Sequence, residues 1–356
     1  MSADRRRRRL GPALALVAVL LASCSSSSTG GGSSSATAGA TPVSGFVQGT
    51  DGVLLEYRDW GGDGPPIVLL TGLGNSAAVF DDLAPRLTAD HRVIGLTRRG
   101  FSPSTVATDG YDVPTRAADD IAALEALGIE RALLVGHSIA GDELTSIVRL
   151  RPDLVAGIVY LDAALDRSDP ANEVFAQCTP LVPPIETFLD PAVDVVEVDG
   201  GVALVSIDAG GRLLLLQYGG PVPMSEVHRR FVVGPGGTVD LVDSAPVMAA
   251  MTAGTNAFTP DYRGITVPVT VLVADDADPA AAFPMTARAE SAVREPLAEC
   301  ARRIADAKRT AGADRVRAQV PGAVVEVVPG GPHYFFLQQP DLVARYILDT
   351  ARRAGW

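Results

Sequence analysis

The sequence predicts an α/β protein: a mostly parallel sheet flanked by helices on both faces, with a cap insertion. Three observations carry this. Short apolar runs alternate with segments of helical periodicity along residues 43–165, the alternation resumes from residue 265, and the stretch between them is rich in Pro and Gly and breaks the pattern. Continuous apolar runs of strand length suit strands buried on both faces, which is the state of parallel strands covered by helices.

The elements follow in order. Val43 to Gln48 and Val53 to Trp60 read as strands around Asp51-Gly52, a dipeptide suited to a tight hairpin turn. Ile67 to Leu70, bounded by Pro65-Pro66 and Gly72, and His91 to Leu96 are apolar runs, with a helical stretch expected near Ala77 to Leu87 between them. A helix over Thr115 to Leu127 places Ala117, Ile121, Leu124 and Leu127 on one face and leads into the strand Ala132 to Val135. A helix from Gly141 to Arg151 and a strand from Val155 to Leu161 repeat the unit. After the cap, at 166–264, come strands at Val267 to Val273 and Ala323 to Val328 and a closing helix from Pro340 to Ala354. Within the cap, Val195 to Val198, Val202 to Ile207 and Leu213 to Tyr218, separated by glycine pairs, suggest a small β-meander. The core is thus 43–165 together with 265–356.

The chain opens with Arg5 to Arg9 and an apolar stretch, Leu10 to Leu20, that is shorter than the roughly 20 residues a membrane-spanning helix needs. Residues 1–23 therefore read as a signal peptide. Its end, Leu21-Ala22-Ser23-Cys24, resembles the lipobox of bacterial lipoproteins, which implies lipidation of Cys24 and an exported protein anchored at the outer face of the cell membrane. Residues 24–42, mostly Ser, Gly, Thr and Ala, read as a flexible tether, because they offer too little apolar surface to offset the entropy of ordering them. Loss of five arginines and one aspartate with residues 1–23 takes the net charge from −12 to −16, which argues against nucleic-acid binding. The remaining cysteines, Cys178 and Cys300, are a candidate disulfide pair in an oxidising compartment, although sequence alone does not bring them together.

The strongest chemical signal is Gly136-His137-Ser138-Ile139-Ala140-Gly141, directly after an apolar strand and directly before a helix. That is the setting of a nucleophile elbow, a sharp strand-to-helix turn that demands small neighbours and lifts a serine hydroxyl above the sheet. Around it lie Thr71-Gly72-Leu73-Gly74, Arg99-Gly100-Phe101-Ser102-Pro103-Ser104 and Gly331-Pro332-His333. In order and spacing these resemble the oxyanion loop, the R-G-x-G-x-S segment and the terminal G-x-H loop of the α/β-hydrolase fold family. The resemblance extends over nearly all of residues 45–356. Ala140 stands where the elbow usually has its second glycine, Thr71 replaces the usual histidine, and Ser102 replaces a glycine.

Acyl transfer needs a base to take the serine proton and a carboxylate to hold that base in the right tautomer. Of four histidines, His91, His137 and His228 read as structural or solvated, and the resemblance implies His333, after the last strand, as the base. The acid is open between Asp278, which precedes Pro279 in the loop after the Val267 to Val273 strand, and Asp162, which ends the preceding strand; Asp278 is preferred, with Asp275 and Asp276 read as loop solvation. The resemblance implies oxyanion donors at the backbone N–H groups of Leu73 and Ile139. Serine at the elbow argues against haloalkane dehalogenases and epoxide hydrolases, whose nucleophile is aspartate.

The expected activity is that of a serine hydrolase cleaving small-molecule carboxylic esters through an acyl-enzyme. The alternative is a non-catalytic lipoprotein that binds a ligand in the pocket under the cap. Tyr334, Phe335 and Phe336 beside the base, together with the apolar cap, suggest a lipophilic substrate, and core packing explains those aromatics equally well. No cluster of metal-ligating residues and no Gly-rich phosphate loop is visible, so no metal or other cofactor is expected.

Overall fold

The computed structural model describes residues 41–356 except 171–172, 184–187, 199–200, 235 and 287–289. The expected signal peptide, Cys24 and most of the expected tether lie outside the described residues. Strands β1 (Val43–Gln48) and β2 (Leu54–Gly61) form the antiparallel hairpin, and its turn places both Asp51 (φ 52°) and Gly52 (φ 76°) in the left-handed region. There follow β3 (Ile67–Leu70), β4 (Val93–Leu96), helix α1 (Val113–Ala126), β5 (Ala132–His137), α2 (Ala140–Leu150) and β6 (Val155–Leu161). Asp112 caps α1 by accepting the Thr115 N–H.

The cap contributes α3 (Glu173–Cys178), the hairpin β7 (Val195–Val198) and β8 (Gly201–Leu204), α4 (Ile207–Tyr218), α5 (Met224–Arg230), β9 (Phe231–Val233), β10 (Val239–Leu241) and α6 (Ala245–Asn256). The core then resumes with β11 (Val269–Ala274), α7 (Pro279–Ala282), α8 (Ser291–Lys308), α9 (Asp314–Gln319), β12 (Val324–Val328), α10 (Phe335–Gln338) and α11 (Pro340–Arg353).

The main sheet has eight strands in the order β1-β2-β4-β3-β5-β6-β11-β12, parallel from β4 to β12. It has an apolar layer on each face. One contains Leu144 and Ile147 of α2 with Ala117 and Leu124 of α1; the other contains Val343, Ile347 and Ala351 of α11 together with Leu213 and Leu214 of the cap. This is the predicted α/β architecture, and it sets the carboxyl ends of β5, β6, β11 and β12 side by side, where open α/β sheets place their sites.

Two local expectations are corrected. The helix expected near Ala77 to Leu87 is two short 3-10 turns, Ala77–Phe80 and Ala84–Arg86, because Pro85 has no N–H to continue a helical ladder. Leu213 to Tyr218 is not a third strand of a meander but the end of α4. Ser206 caps that helix by accepting the Ala209 N–H, Gly219 (φ 72°) terminates it, and Leu213, Leu214 and Tyr218 are buried. The third and fourth cap strands come later, giving the order β7-β8-β10-β9.

Candidate active site

Ser138 stands one residue beyond β5 with φ 57°, a conformation unfavourable for any residue with a Cβ, and its own N–H donates to the Leu161 carbonyl of the neighbouring strand. The turn tolerates Ala140 but needs Gly141: a Cβ on Gly141 would lie 1.9 Å from the Ala163 carbonyl oxygen. On the strand side, a Cβ on Gly136 would come 2.8 Å from the Leu144 side chain. The crowding that a sharp turn imposes therefore falls on Gly136 and Gly141, and α2 starts close against the chain leaving β6.

That chain carries Asp162, which also has a left-handed backbone, φ 46°. Its Oδ2 is 2.5 Å from Nδ1 of His333, and its Oδ1 accepts the Ala274 N–H at 3.1 Å. Asp278, the preferred acid from sequence, is exposed and caps α7 instead, accepting the Ala280 N–H at 2.9 Å. The correction has a simple cause. The loop after β11 uses its three aspartates differently: Asp275 accepts the Gly330 N–H, Asp276 is buried beside Lys308, and Asp278 is exposed at the start of α7. Asp162 needs no loop, since it leaves β6 directly beside the elbow.

Burial alone would raise the Asp162 carboxyl, but Lys308 and His333 outweigh it and hold the group well below the ordinary carboxylate range. Asp162 is therefore ionised at neutral pH and able to fix the His333 tautomer. His137, inside the elbow, is fully buried; burial and the neighbouring His333 hold its pKa well below the ordinary histidine value, so it is neutral. Its Nε2 lies 3.0 Å from the His333 carbonyl oxygen and its ring is 4.5 Å from the His333 ring, so it braces the loop that carries His333. His91 is buried and neutral in the bend before β4, and His228 is exposed on α5.

The Ser138 hydroxyl is not hydrogen-bonded to His333 as the side chains stand, although both line one cavity of about 800 Å³; such contacts often close only with substrate in place. Among the described residues, neither the Leu73 nor the Ile139 N–H is taken up by another group. Arg98 explains the first. Its guanidinium donates to the carbonyls of Thr71 (2.8 Å) and Gly72 (3.0 Å), and since the C=O and N–H of a trans peptide point in opposite directions, the Leu73 N–H faces away from Arg98. Likewise the Ser138 carbonyl accepts the Gly141 N–H, which turns the Ile139 N–H outward at the start of α2. Arg98 is held in turn by Glu143, with contacts of 2.8 and 2.6 Å, and Glu143 also pairs with Arg116.

Sequence reasoning missed Arg98, Glu143 and Lys308. Only an arginine just before the R-G-x-G-x-S-like segment could have drawn attention to the first. The cap adds a second brace: Glu226 accepts from Ser76 and Asn75, Asn75 donates to the Tyr218 hydroxyl, and Tyr218 stacks on Tyr334 beside His333. Phe335 and Phe336 are buried in the core, so for these two aromatics packing is the reading that holds. The cavity has apolar side chains of its own in Leu165, Pro170, Phe175, Phe283 and Ile304, with Arg167, Asp169 and Glu173 among its polar ones. Cys178 of α3 and Cys300 of α8 form a disulfide, tying two elements that line this cavity. Among the described residues no group of three or more His, Cys, Asp or Glu is placed to hold a metal ion, and no helix is long and apolar enough to cross a membrane.

Parallel sheet, elbow and carboxyl-edge cavity together define the α/β-hydrolase fold. Comparison with known proteins agrees: residues 65–181 match the family described as alpha/beta hydrolase fold. The chain is 26% identical over 302 residues to 2-(acetamidomethylene)succinate hydrolase of Mesorhizobium japonicum, covering 83% of this chain and 90% of that protein. It is 38% identical over 122 residues to a non-heme chloroperoxidase of Streptomyces lividans and, over the same length, to a bifunctional esterase/perhydrolase of Acinetobacter calcoaceticus. Those two alignments cover 33% of this chain and only 44% of each relative. Among solved structures, an E-2-(acetamidomethylene)succinate hydrolase superposes with a TM-score of 0.62 at 21% identity, covering 87% of this chain and 99% of that one.

Proposed function

We propose that this chain is a serine hydrolase that cleaves carboxylic esters through an acyl-enzyme, with Ser138 as nucleophile, His333 as general base and Asp162 as the acid that orients it. The observation that carries the reading is the 2.5 Å contact between Asp162 and Nδ1 of His333 in a cavity that Ser138 also lines. With Nδ1–H donating to Asp162, Nε2 is left free to accept the Ser138 proton as the hydroxyl attacks the ester carbonyl. The developing oxyanion takes the N–H groups of Leu73 and Ile139, and the imidazolium returns its proton to the leaving alcohol. Water then repeats the cycle on the acyl-serine, with His333 again as base. The apolar side chains of the cavity support a substrate with a lipophilic part.

The N-terminal pattern ending at Cys24 supports export and anchoring by a lipid on that cysteine. Similarity over 83% of the chain to a hydrolase named for an acetamido-substituted succinate keeps amides as a second substrate class for the same machinery. The test is hydrolysis of short-chain p-nitrophenyl esters by the wild type and Ser138→Ala. Turnover lost in the variant supports the reading; a rate equal in both, or absent in both across esters and amides, overturns it in favour of a binding lipoprotein.

A further inference from the structure

Two carboxylates, not one, reach the cavity beside His333. Asp162 leaves the end of β6, and Asp276, also buried, lies in the loop after β11. Between them stands Lys308, the last residue of α8. Its Nζ is 2.6 Å from Oδ2 of Asp162 and 2.6 Å from Oδ2 of Asp276. Oδ2 of Asp162 is thus shared by the Lys308 ammonium and the His333 imidazole, while Oδ1 is occupied by the Ala274 N–H. A carboxylate held at both oxygens cannot rotate away from Nδ1.

We infer that Lys308 is a positioning residue that locks Asp162 toward His333 and, balanced by Asp276 as its second partner, sets how strongly the imidazole holds a proton. The inference rests on reading His333 as the base, and Lys308 acts on it through Asp162. Burial pushes the lysine down, but the two aspartates outweigh it and keep the ammonium charged. For Asp276, burial leads and its carboxyl is raised in spite of Lys308. A cation on the shared oxygen weakens that oxygen's pull on the imidazolium, and the second anion offsets part of the cation. The other groups facing His333 are the neutral ring of His137 from β5 and the adjacent Tyr334, while Arg167, Asp169 and Glu173 line the same cavity. Loss of the cation should therefore make His333 more basic. Loss of Asp276, which leaves the cation wholly to Asp162, should make it less basic.

The opposite signs make the test. The full chain has four histidines, so histidine-selective nitrogen labelling, with His333 assigned through His333→Gln, gives its pKa by NMR titration without any substrate. Lys308→Met is expected to raise it by about one unit and the isosteric Asp276→Asn to lower it by a comparable amount, with Lys308→Arg close to wild type. A His333 pKa that does not move in either variant, or moves the same way in both, overturns the inference. Where esters are turned over, the acidic limb of kcat/KM should follow the same signs. A wild type inactive on esters whose His333 still shifts as expected would discard the ester reading and keep the Asp162–Lys308–Asp276 array.

Discussion

Ser138 and Asp162 leave adjacent parallel strands in the same way: each is the first residue past its strand, each has a left-handed backbone, and each donates its N–H to the next strand's carbonyl, Leu161 for Ser138 and Leu272 for Asp162. Two non-glycine residues in a costly conformation, side by side at one sheet edge, are the mark of a site where geometry outranks local stability. The strain is held by the strand ladder on one side and by Gly141 against Ala163 on the other.

The acid can be assigned by comparing two conservative changes. Asp162→Asn should lower kcat by roughly a thousand- to ten-thousand-fold, because His333 would lose the partner that fixes its tautomer. Asp278→Asn should leave kcat within about twofold, since an asparagine caps a helix as an aspartate does. Steady-state kinetics on one ester decide between them, and the reverse ranking would restore Asp278.

The elbow predicts a pair of opposite tolerances. Gly141→Ala puts a methyl 1.9 Å from a backbone carbonyl oxygen and should cost roughly 3 kcal/mol, read as a lower denaturation midpoint. Ala140→Gly, at a position that already accommodates a Cβ, should cost no more than about 1 kcal/mol from added backbone freedom in a helix.

Arg98→Ala should reduce kcat more than it raises KM. It releases the Thr71 and Gly72 carbonyls that aim the Leu73 N–H, and one lost oxyanion donor is worth about a hundred- to a thousand-fold. The change also leaves Glu143 with Arg116 as its remaining buried partner, so the melting temperature should be recorded beside the kinetics. Loss of stability with unchanged kcat would show Arg98 to be structural only.

Two buried aspartates give opposite pH signatures. Burial pushes Asp142 up to about 7 even though Arg167 is bonded to it, so the folded chain keeps a proton that the unfolded chain has released; this penalty grows as pH rises from about 4 to 7 and then levels off. Asp142→Asn should therefore flatten stability over that window and gain relative to the wild type at pH 8. Asp162 is depressed, so its contribution is present above the ordinary carboxylate range and is lost as pH falls below about 4. Thermal melts between pH 3 and 8 test both.

The Cys178–Cys300 bridge closes a loop of 122 residues, for which the chain-entropy model gives about 4–5 kcal/mol. Reduction or a double change to serine should lower the melting temperature. Because α8 carries both Cys300 and Lys308, it should also disturb turnover more than a remote destabilisation of equal size would.

Much of this protein is written locally. Apolar runs of strand length, Asp112 before a helix, Asp51-Gly52 in a hairpin and small residues around Ser138 each act within a few residues, so the alternation, the elbow and the candidate serine and histidine are legible without knowing how the chain closes. The tertiary structure decided everything that depends on where distant loops meet: which of four aspartates reaches His333, which arginine aims the Leu73 peptide, that Cys178 and Cys300 join, and that a lysine at the end of α8 stands between two carboxylates. It also overrode the glycine pattern of the cap, because the leucines of α4 bury one face on the core only as a helix. The physical reason is range. Turn chemistry and periodicity are set by neighbours in sequence, whereas a hydrogen bond between residues 171 positions apart is set by the packing of every element between them.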